Sequence, residues 1–227
     1  MIKGVLLDIE GTIAPISFVK ETLFPYSREK LEEFIKENKD KPEIRKILDD
    51  IKKLEGRDLS LDEIISLLKK WIDEDKKITP LKDIQGYIWE EGFVSGKIKA
   101  PLYEDAYKKI LSWREKGIPM YIYSSGSVKA QKLFFSHTEY GNILNFFKGH
   151  FDTKIGSKKD PESYKKISEE IGLKPEEILF LSDNPEEIEA AAKAGFKVIR
   201  IVRENDAEYI SGFPYPQIPS FEKIKEV

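Results

Sequence analysis

From residue 104 onward, apolar runs of strand length alternate with helix-length segments, and this alternation limits the fold more than any other feature of the chain. Residues 104–116 read as a helix with Ala106, Ile110, Leu111 and Trp113 available for burial and Gly117 as its stop. A strand is expected over 118–123, a helix over 128–135 with Ser127 as its N-cap, and a short strand over 151–155 after an irregular stretch. A helix over 161–171 closed by Gly172, an apolar strand over 178–181, a helix over 186–194 closed by Gly195 and a strand over 196–202 follow. The tail carries Pro214, Pro216 and Pro219 and reads as loop ending in a short helix near 221–225. Strands that alternate with helices form a parallel sheet with right-handed crossovers, and ligands of such sheets bind outside the carboxyl ends of the strands.

The first strand, over residues 2–7, runs into Asp8-Ile9-Glu10-Gly11-Thr12. Charge is costly to bury, so two acids here belong at the open strand end. Asp8 and Glu10 are two apart and point the same way in extended chain, and Gly11 permits a bend that carries Glu10 over the site. An acid followed by glycine is also ordinary turn chemistry, so this stretch alone does not decide a function.

Between residues 18 and 96 no strand is evident. Pro15 and Pro25 argue against one continuous helix, and the pattern turns helical from Ser27. A second helix starts at Pro42 and ends at Gly56; a third starts with a capping box at Ser60 and Glu63; a fourth opens at Thr79-Pro80 and fades at Gly92 and Gly96. Three or four helices inserted directly after the two acids read either as a small bundle or as a lid over an active site. Trp71 and Trp89 are most simply core residues. The expected organisation is a core of 1–17 and 97–227 interrupted by a helical cap of 18–96.

Four expected strand ends carry polar groups: Asp8 with Glu10, Ser124 with Ser125, Lys158, and Asp183. Each has a bland reading, as turn residue, cap or solvated charge. Their joint placement on one sheet edge suits phosphoryl transfer, which needs an in-line nucleophile, cations against the phosphoryl oxygens and donors that orient them. Asp8 is the candidate nucleophile. Asp8 and Asp183, with a backbone carbonyl near Glu10, form an oxygen donor set of the kind Mg²⁺ prefers. Ser124 and the amides around Ser125 suit phosphate oxygens, Lys158 offsets their charge, and Glu10 can protonate the leaving oxygen and later activate water.

Composition excludes other classes. Hydrophobic residues make up 40%, enough for a sizeable core, and cysteine is absent, so neither disulfides nor thiolate metal sites exist. The 38 basic residues are interspersed with 41 acidic ones, without a basic stripe for nucleic acid. No apolar run is long enough to span a membrane and the first residues lack the order of a signal peptide, so a cytoplasmic protein is expected, with monomer as the default state.

The motif Asp8-Ile9-Glu10-Gly11-Thr12, with Ser124, Lys158 and Asp183 in order, resembles the haloacid dehalogenase superfamily. Further stretches resemble its enolase-phosphatase family, which serves methionine salvage. They are Pro15-Ile16-Ser17-Phe18-Val19, Leu23-Phe24-Pro25-Tyr26, Gln85-Gly86-Tyr87-Ile88-Trp89, Tyr123-Ser124-Ser125-Gly126-Ser127-Val128 and Phe151-Asp152-Thr153-Lys154-Ile155-Gly156. The resemblance implies a Rossmann-like parallel-sheet core with an inserted all-helical cap, and an enzyme that enolises and then dephosphorylates 2,3-diketo-5-methylthiopentyl-1-phosphate to an acireductone. It implies Asp8 as nucleophile and metal ligand, Glu10 as acid/base and carbonyl ligand, Ser124, Ser125 and Lys158 as substrate-binding residues, and Asp183 as the third ligand of one Mg²⁺ per chain. Ser157, where a His is common, and Ala14, where a Thr is frequent, depart from the pattern. The base for enolisation stays open between Glu10 and a cap residue. The competing readings are another Mg²⁺-dependent capped phosphatase acting on a small phosphorylated metabolite, a haloalkanoate dehalogenase, and a non-catalytic or receiver-type protein on a similar sheet.

Overall fold

The structure, a computed structural model, describes residues 1–225. Strand β1 (Gly4–Leu7) is followed by four helices, α1 (Phe24–Asn38), α2 (Pro42–Glu55), α3 (Leu61–Asp73) and α4 (Thr79–Val94). Then come α5 (Glu104–Glu115), β2 (Met120–Tyr123), α6 (Val128–Ser136), β3 (Phe147–Phe151), α7 (Pro161–Ile171), β4 (Ile178–Ser182), α8 (Pro185–Lys193), β5 (Lys197–Ile201) and β6 (Gln217–Ile218). The chain divides into two compact units, one of Met1–Ile16 with the chain from Lys99 onward, the other of Ser17–Ile98.

The first unit is built on a six-stranded sheet in the order β3-β2-β1-β4-β5-β6, with every pair parallel. β1 lies inside, flanked by β2 and β4, and Val5, Leu6 and Leu7 are fully buried. Burial on both faces is why β1 and β4 read as continuous apolar runs without alternation. The strand order reverses at β1, from which the chain passes to β2 on one side and later to β4 on the other. Such a switch point opens a crevice at the carboxyl ends of the strands. Register places Leu7 beside Ile122 and Leu181, so Asp8 emerges at that crevice, its N–H still bonded to the Leu181 carbonyl at 3.0 Å.

Two expectations in this unit are corrected. The strand expected over 151–155 lies over Phe147–Phe151, and the residues after it form turns. The Asp152 carboxylate accepts from the Lys154 and Val128 amides, which folds the chain away from the sheet. The true strand carries Lys148 and Gly149, which mute its β signal. Lys158 therefore sits in a loop and not at a strand end. The tail also holds a strand that was not expected: β6, flanked by Pro216 and Pro219, pairs with β5 at the sheet edge, where proline is tolerated.

The second unit is four helices around its own apolar core, which includes Leu31, Ile35, Ile51, Leu68 and Ile84. Pro42 opens α2, Gly56 closes it in a left-handed conformation, and the Ser60–Glu63 capping box opens α3. Trp71 is buried in the core, and Trp89 donates its indole N–H to the Leu23 carbonyl at 2.8 Å. The expected break at Pro25 does not occur. A π-helical turn, Val19–Leu23, leads directly into α1, with the Phe24 N–H bonded to the Val19 carbonyl. The wider turn comes where the proline ring and its missing N–H interrupt ordinary helix bonding. Helix α4 likewise continues through Gly92 to Val94.

Gly92 is buried, and a Cβ there would lie 2.5 Å from Ile98 Cδ1 and 2.9 Å from Tyr26 Cε1. Alanine gains up to about 1 kcal/mol of helix propensity, but overpacking costs about 1–3 kcal/mol. Gly92→Ala is therefore expected to lower the melting midpoint by a few degrees. A raised midpoint would show that Ile98 and Tyr26 yield without cost.

Candidate active site

Asp8 is 5% exposed, and both of its carboxylate oxygens are engaged. Oδ1 accepts from Lys158 Nζ at 2.6 Å; Oδ2 accepts from the hydroxyls of Thr12 at 3.0 Å and Ser182 at 3.3 Å. Burial opposes the charge on Lys158, but Asp8 and Glu187, whose Oε1 lies 2.8 Å from Nζ, outweigh it and raise the lysine's pKa. Lys158 is an ammonium throughout the physiological range. Ser182 Oγ also lies 3.2 Å from Glu187 Oε1, so its one hydroxyl hydrogen is shared between the two acids, and Asp8, Lys158, Glu187 and Ser182 form one closed network.

Lys158 is aimed by the loop that carries it. Tyr164 donates its hydroxyl hydrogen to the Lys158 carbonyl, Tyr123 donates to the Gly156 carbonyl at 2.7 Å, and Ser163 donates to the Ser157 carbonyl at 2.7 Å. The ammonium also lies 5.6 Å from the centroid of the Tyr123 ring. Ser157 itself is exposed, its hydroxyl accepting from the Lys159 amide.

Asp183 follows β4 as Asp8 follows β1. Burial, the charge of Asp8 and a hydrogen bond with Asp8 push its carboxyl up to about 8. Burial and Asp8 raise Glu187 as well, with Lys158 opposing them. Asn184, not Asp183, caps α8, accepting from the Glu186 and Glu187 amides at 2.9 and 3.2 Å. Gly11 lies directly against Asp183, since a Cβ on Gly11 would be 2.3 Å from Asp183 Oδ2, and its φ of 79° suits glycine.

Ser124 is one residue beyond β2, its N–H bonded to the Phe151 carbonyl at 3.1 Å, and its hydroxyl accepts from the Gly126 amide at 3.3 Å. Gln131 fastens this loop through the carbonyls of Gly126 and Phe151, and Ser127 caps α6. The amides of Ser125 and Gly126 thus sit just ahead of a helix N-terminus, a setting that favours anions. Ser125 and Glu10 are exposed, Glu10 in a parallel bridge with Ala14.

The structure joins Asp8, Lys158 and Asp183 directly and places Ser124 on the neighbouring strand end. Glu10 and Ser125 lie at the same carboxyl-end edge of the sheet, Glu10 beyond β1 and Ser125 beyond β2. Glu187 and Ser182 were not expected here. An acid in the first turn of a helix is ordinary terminus chemistry, which masked Glu187; the only signal was its place beside the apolar run Ile188, Ala190 and Ala191. Thr12 was visible in the first motif, but its bond to Asp8 was not.

A family model described as haloacid dehalogenase-like hydrolase matches residues 2–195. The chain belongs to the haloacid dehalogenase-like hydrolases and is an enzyme of that phosphatase class. It is 68% identical over 227 residues, all of both chains, to Enolase-phosphatase E1 of Persephonella marina. It is 65% identical over 218 residues to Enolase-phosphatase E1 of Aquifex aeolicus, covering 94% of this chain and 98% of the relative. Among solved structures, UTR4 protein from Saccharomyces cerevisiae matches with a TM-score of 0.85 and 36% identity over 99% of this chain and 100% of that one. Within the superfamily the chain is a member of the enolase-phosphatase family. Among the described residues no helix is long and apolar enough to cross a membrane.

Gly11→Ala tests the contact between the two acid-bearing loops. The methyl group would displace Asp183, and the expected loss is roughly 10–100-fold in kcat for phosphate release, with far-ultraviolet circular dichroism unchanged. Full activity would mean that Asp183 can move without consequence.

Proposed function

We propose that the chain enolises 2,3-diketo-5-methylthiopentyl-1-phosphate and then hydrolyses the enol phosphate to an acireductone, with Asp8 as the nucleophile. The observation that carries the reading is the placement of Asp8. It is held by Lys158, with Asp183 against Gly11, at the switch point of the sheet. The full-length likeness to enolase-phosphatases supplies the substrate class. The helical unit, residues 18–96, serves as the cap.

The donor chemistry fits one Mg²⁺ per chain. Partial burial and the charge of the buried Asp8 together raise the half-buried Asp183, a conflict that a divalent cation relieves. On this reading the donors are the Asp8 and Asp183 carboxylates and the Glu10 carbonyl, with water completing the set. Bound there, Mg²⁺ would offset charge on the phosphoryl oxygens.

The residues divide the chemistry between them. Ser124, with the amides of Ser125 and Gly126, orients the phosphoryl group, and Lys158 offsets its charge. An Asp8 oxygen attacks phosphorus; the bond from phosphorus to the substrate oxygen breaks, and Glu10 gives that oxygen a proton. Glu10 then takes a proton from water, which attacks the aspartyl-phosphate, releasing inorganic phosphate and restoring Asp8. In the preceding enolisation Glu10 or a cap residue, as base, takes a proton from the carbon next to a carbonyl; the C–H electron pair forms the C=C bond and the carbonyl oxygen takes up a proton to become the enol.

An anaerobic assay with the diketo phosphate and Mg²⁺, following the enediol by ultraviolet absorbance and phosphate in parallel, is expected to show an enol intermediate before phosphate. Phosphate release without an enol product would remove the enolase half. Asp8→Asn is expected to lower turnover by roughly 10³-fold or more with the fold retained; near-normal turnover would remove Asp8 as nucleophile. Asp183→Asn is expected to raise the Mg²⁺ concentration needed for half-maximal activity more than it raises KM. An unchanged Mg²⁺ dependence would place the metal elsewhere.

A further inference from the structure

Two buried arginines at the end of β5 reach back to the two acid-bearing loops. Arg200 and Arg203 are each 5% exposed, and both lie beyond residue 195, where the family model ends. Arg200 Nε donates to the Asp183 carbonyl at 2.8 Å, while its Nη1 donates to Gln217 Oε1 at 2.7 Å and to the Glu208 carbonyl at 2.9 Å. Arg203 Nε and Nη2 donate to the Thr12 carbonyl at 3.1 and 2.7 Å, and its Nη1 lies 2.8 Å from both oxygens of Asp105. Its guanidinium carbon sits 3.9 Å from the centroid of the Tyr103 ring, and the Tyr103 N–H bonds the Ile13 carbonyl at 2.9 Å. Asp105 in turn accepts from the Phe221 amide at 2.8 Å.

Each arginine therefore grips a main-chain carbonyl, one beside Asp8 and one of Asp183 itself. Thr12 is held twice, by its carbonyl to Arg203 and by its hydroxyl to Asp8 Oδ2. We propose that Arg203, seconded by Arg200, is a positioning residue: it fixes the Gly11–Thr12 turn so that Asp8 keeps its aim and its distance from Asp183. The segment after residue 195 is on this account part of the catalytic apparatus. The inference rests on Asp8 being the nucleophile.

The planar fork is what the task requires. A guanidinium spans Thr12 and Asp105 at once, whereas an ammonium is a point charge that satisfies one side and releases the other. Arg203→Lys thus keeps the charge and loses the span. A residue that only stabilises the fold would lower the folded fraction and leave each folded molecule fully active.

The test measures kcat and KM per folded molecule, with amide hydrogen exchange at residues 11–14, for Arg203→Lys. The control is Ile143→Val, a buried change at a residue bonded to Phe135 near the end of α6. The expected result is a fall in kcat of about 10–100-fold, KM within about twofold, and faster exchange at residues 11–14, none of it in the control. Any other pattern overturns the proposal, including a kcat within about twofold of the parent or unchanged exchange. Should Arg203→Lys fail to fold, Asp105→Asn, which loosens the guanidinium from the other side, is judged by the same pattern with an expected fall of about threefold or more. Asp8→Asn, assayed alongside, separates the two readings. If it keeps turnover, the assignment of the nucleophile fails; if it loses turnover while Arg203→Lys keeps it, only this inference fails.

Discussion

Everything at the sheet edge depends on keeping a carboxylate charged where water is scarce. Asp8 follows the end of a fully buried strand inside the sheet, and an isolated ion there would lose several kcal/mol of hydration. The compensation is local and complete: an ammonium on one oxygen and two hydroxyls on the other. Lys158 needs the same protection and finds it in Glu187, and Ser182 spans both acids. Removing Lys158 would leave Asp8 and Glu187 as unpaired buried charges, so the three charged groups stand or fall together.

Much of the sheet unit was legible because parallel strands buried on both faces announce themselves as apolar runs, and glycines close the helices between them. The helix Pro161–Ile171 was placed to the residue for that reason. Legibility failed where a side chain competed with the backbone. Asp152 turns the chain after Phe151, which moved the expected strand four residues and took Lys158 off a strand end. β6 is two residues long between prolines, too short for any periodicity to reveal.

The site was readable in part, and the division follows from physics. Residues at strand ends are visible because polarity there interrupts an apolar run. Residues that reach the site from elsewhere leave no such mark. Glu187 sits in the first turn of a helix, where acids are common, and Arg203 is one of 38 basic residues with nothing in the sequence around it to set it apart. Only the fold shows that Arg203 is buried between Thr12 and Asp105. In the helical unit, Pro25 signalled a break, and the π-helical turn beside it let the helix proceed.

The place of β1 in the sheet order also sets a timetable. β1 spans residues 4–7, yet its partners begin at residues 120 and 178. A chain emerging from the ribosome therefore carries a short apolar strand with both edges bare until β2 has been made, more than a hundred residues later. Its first neighbour arrives after the whole helical unit, its second some sixty residues later. Contacts so distant along the chain close slowly. The helical unit has its own core and lies wholly between β1 and β2, so its collapse would shorten the loop that must close before that pairing begins.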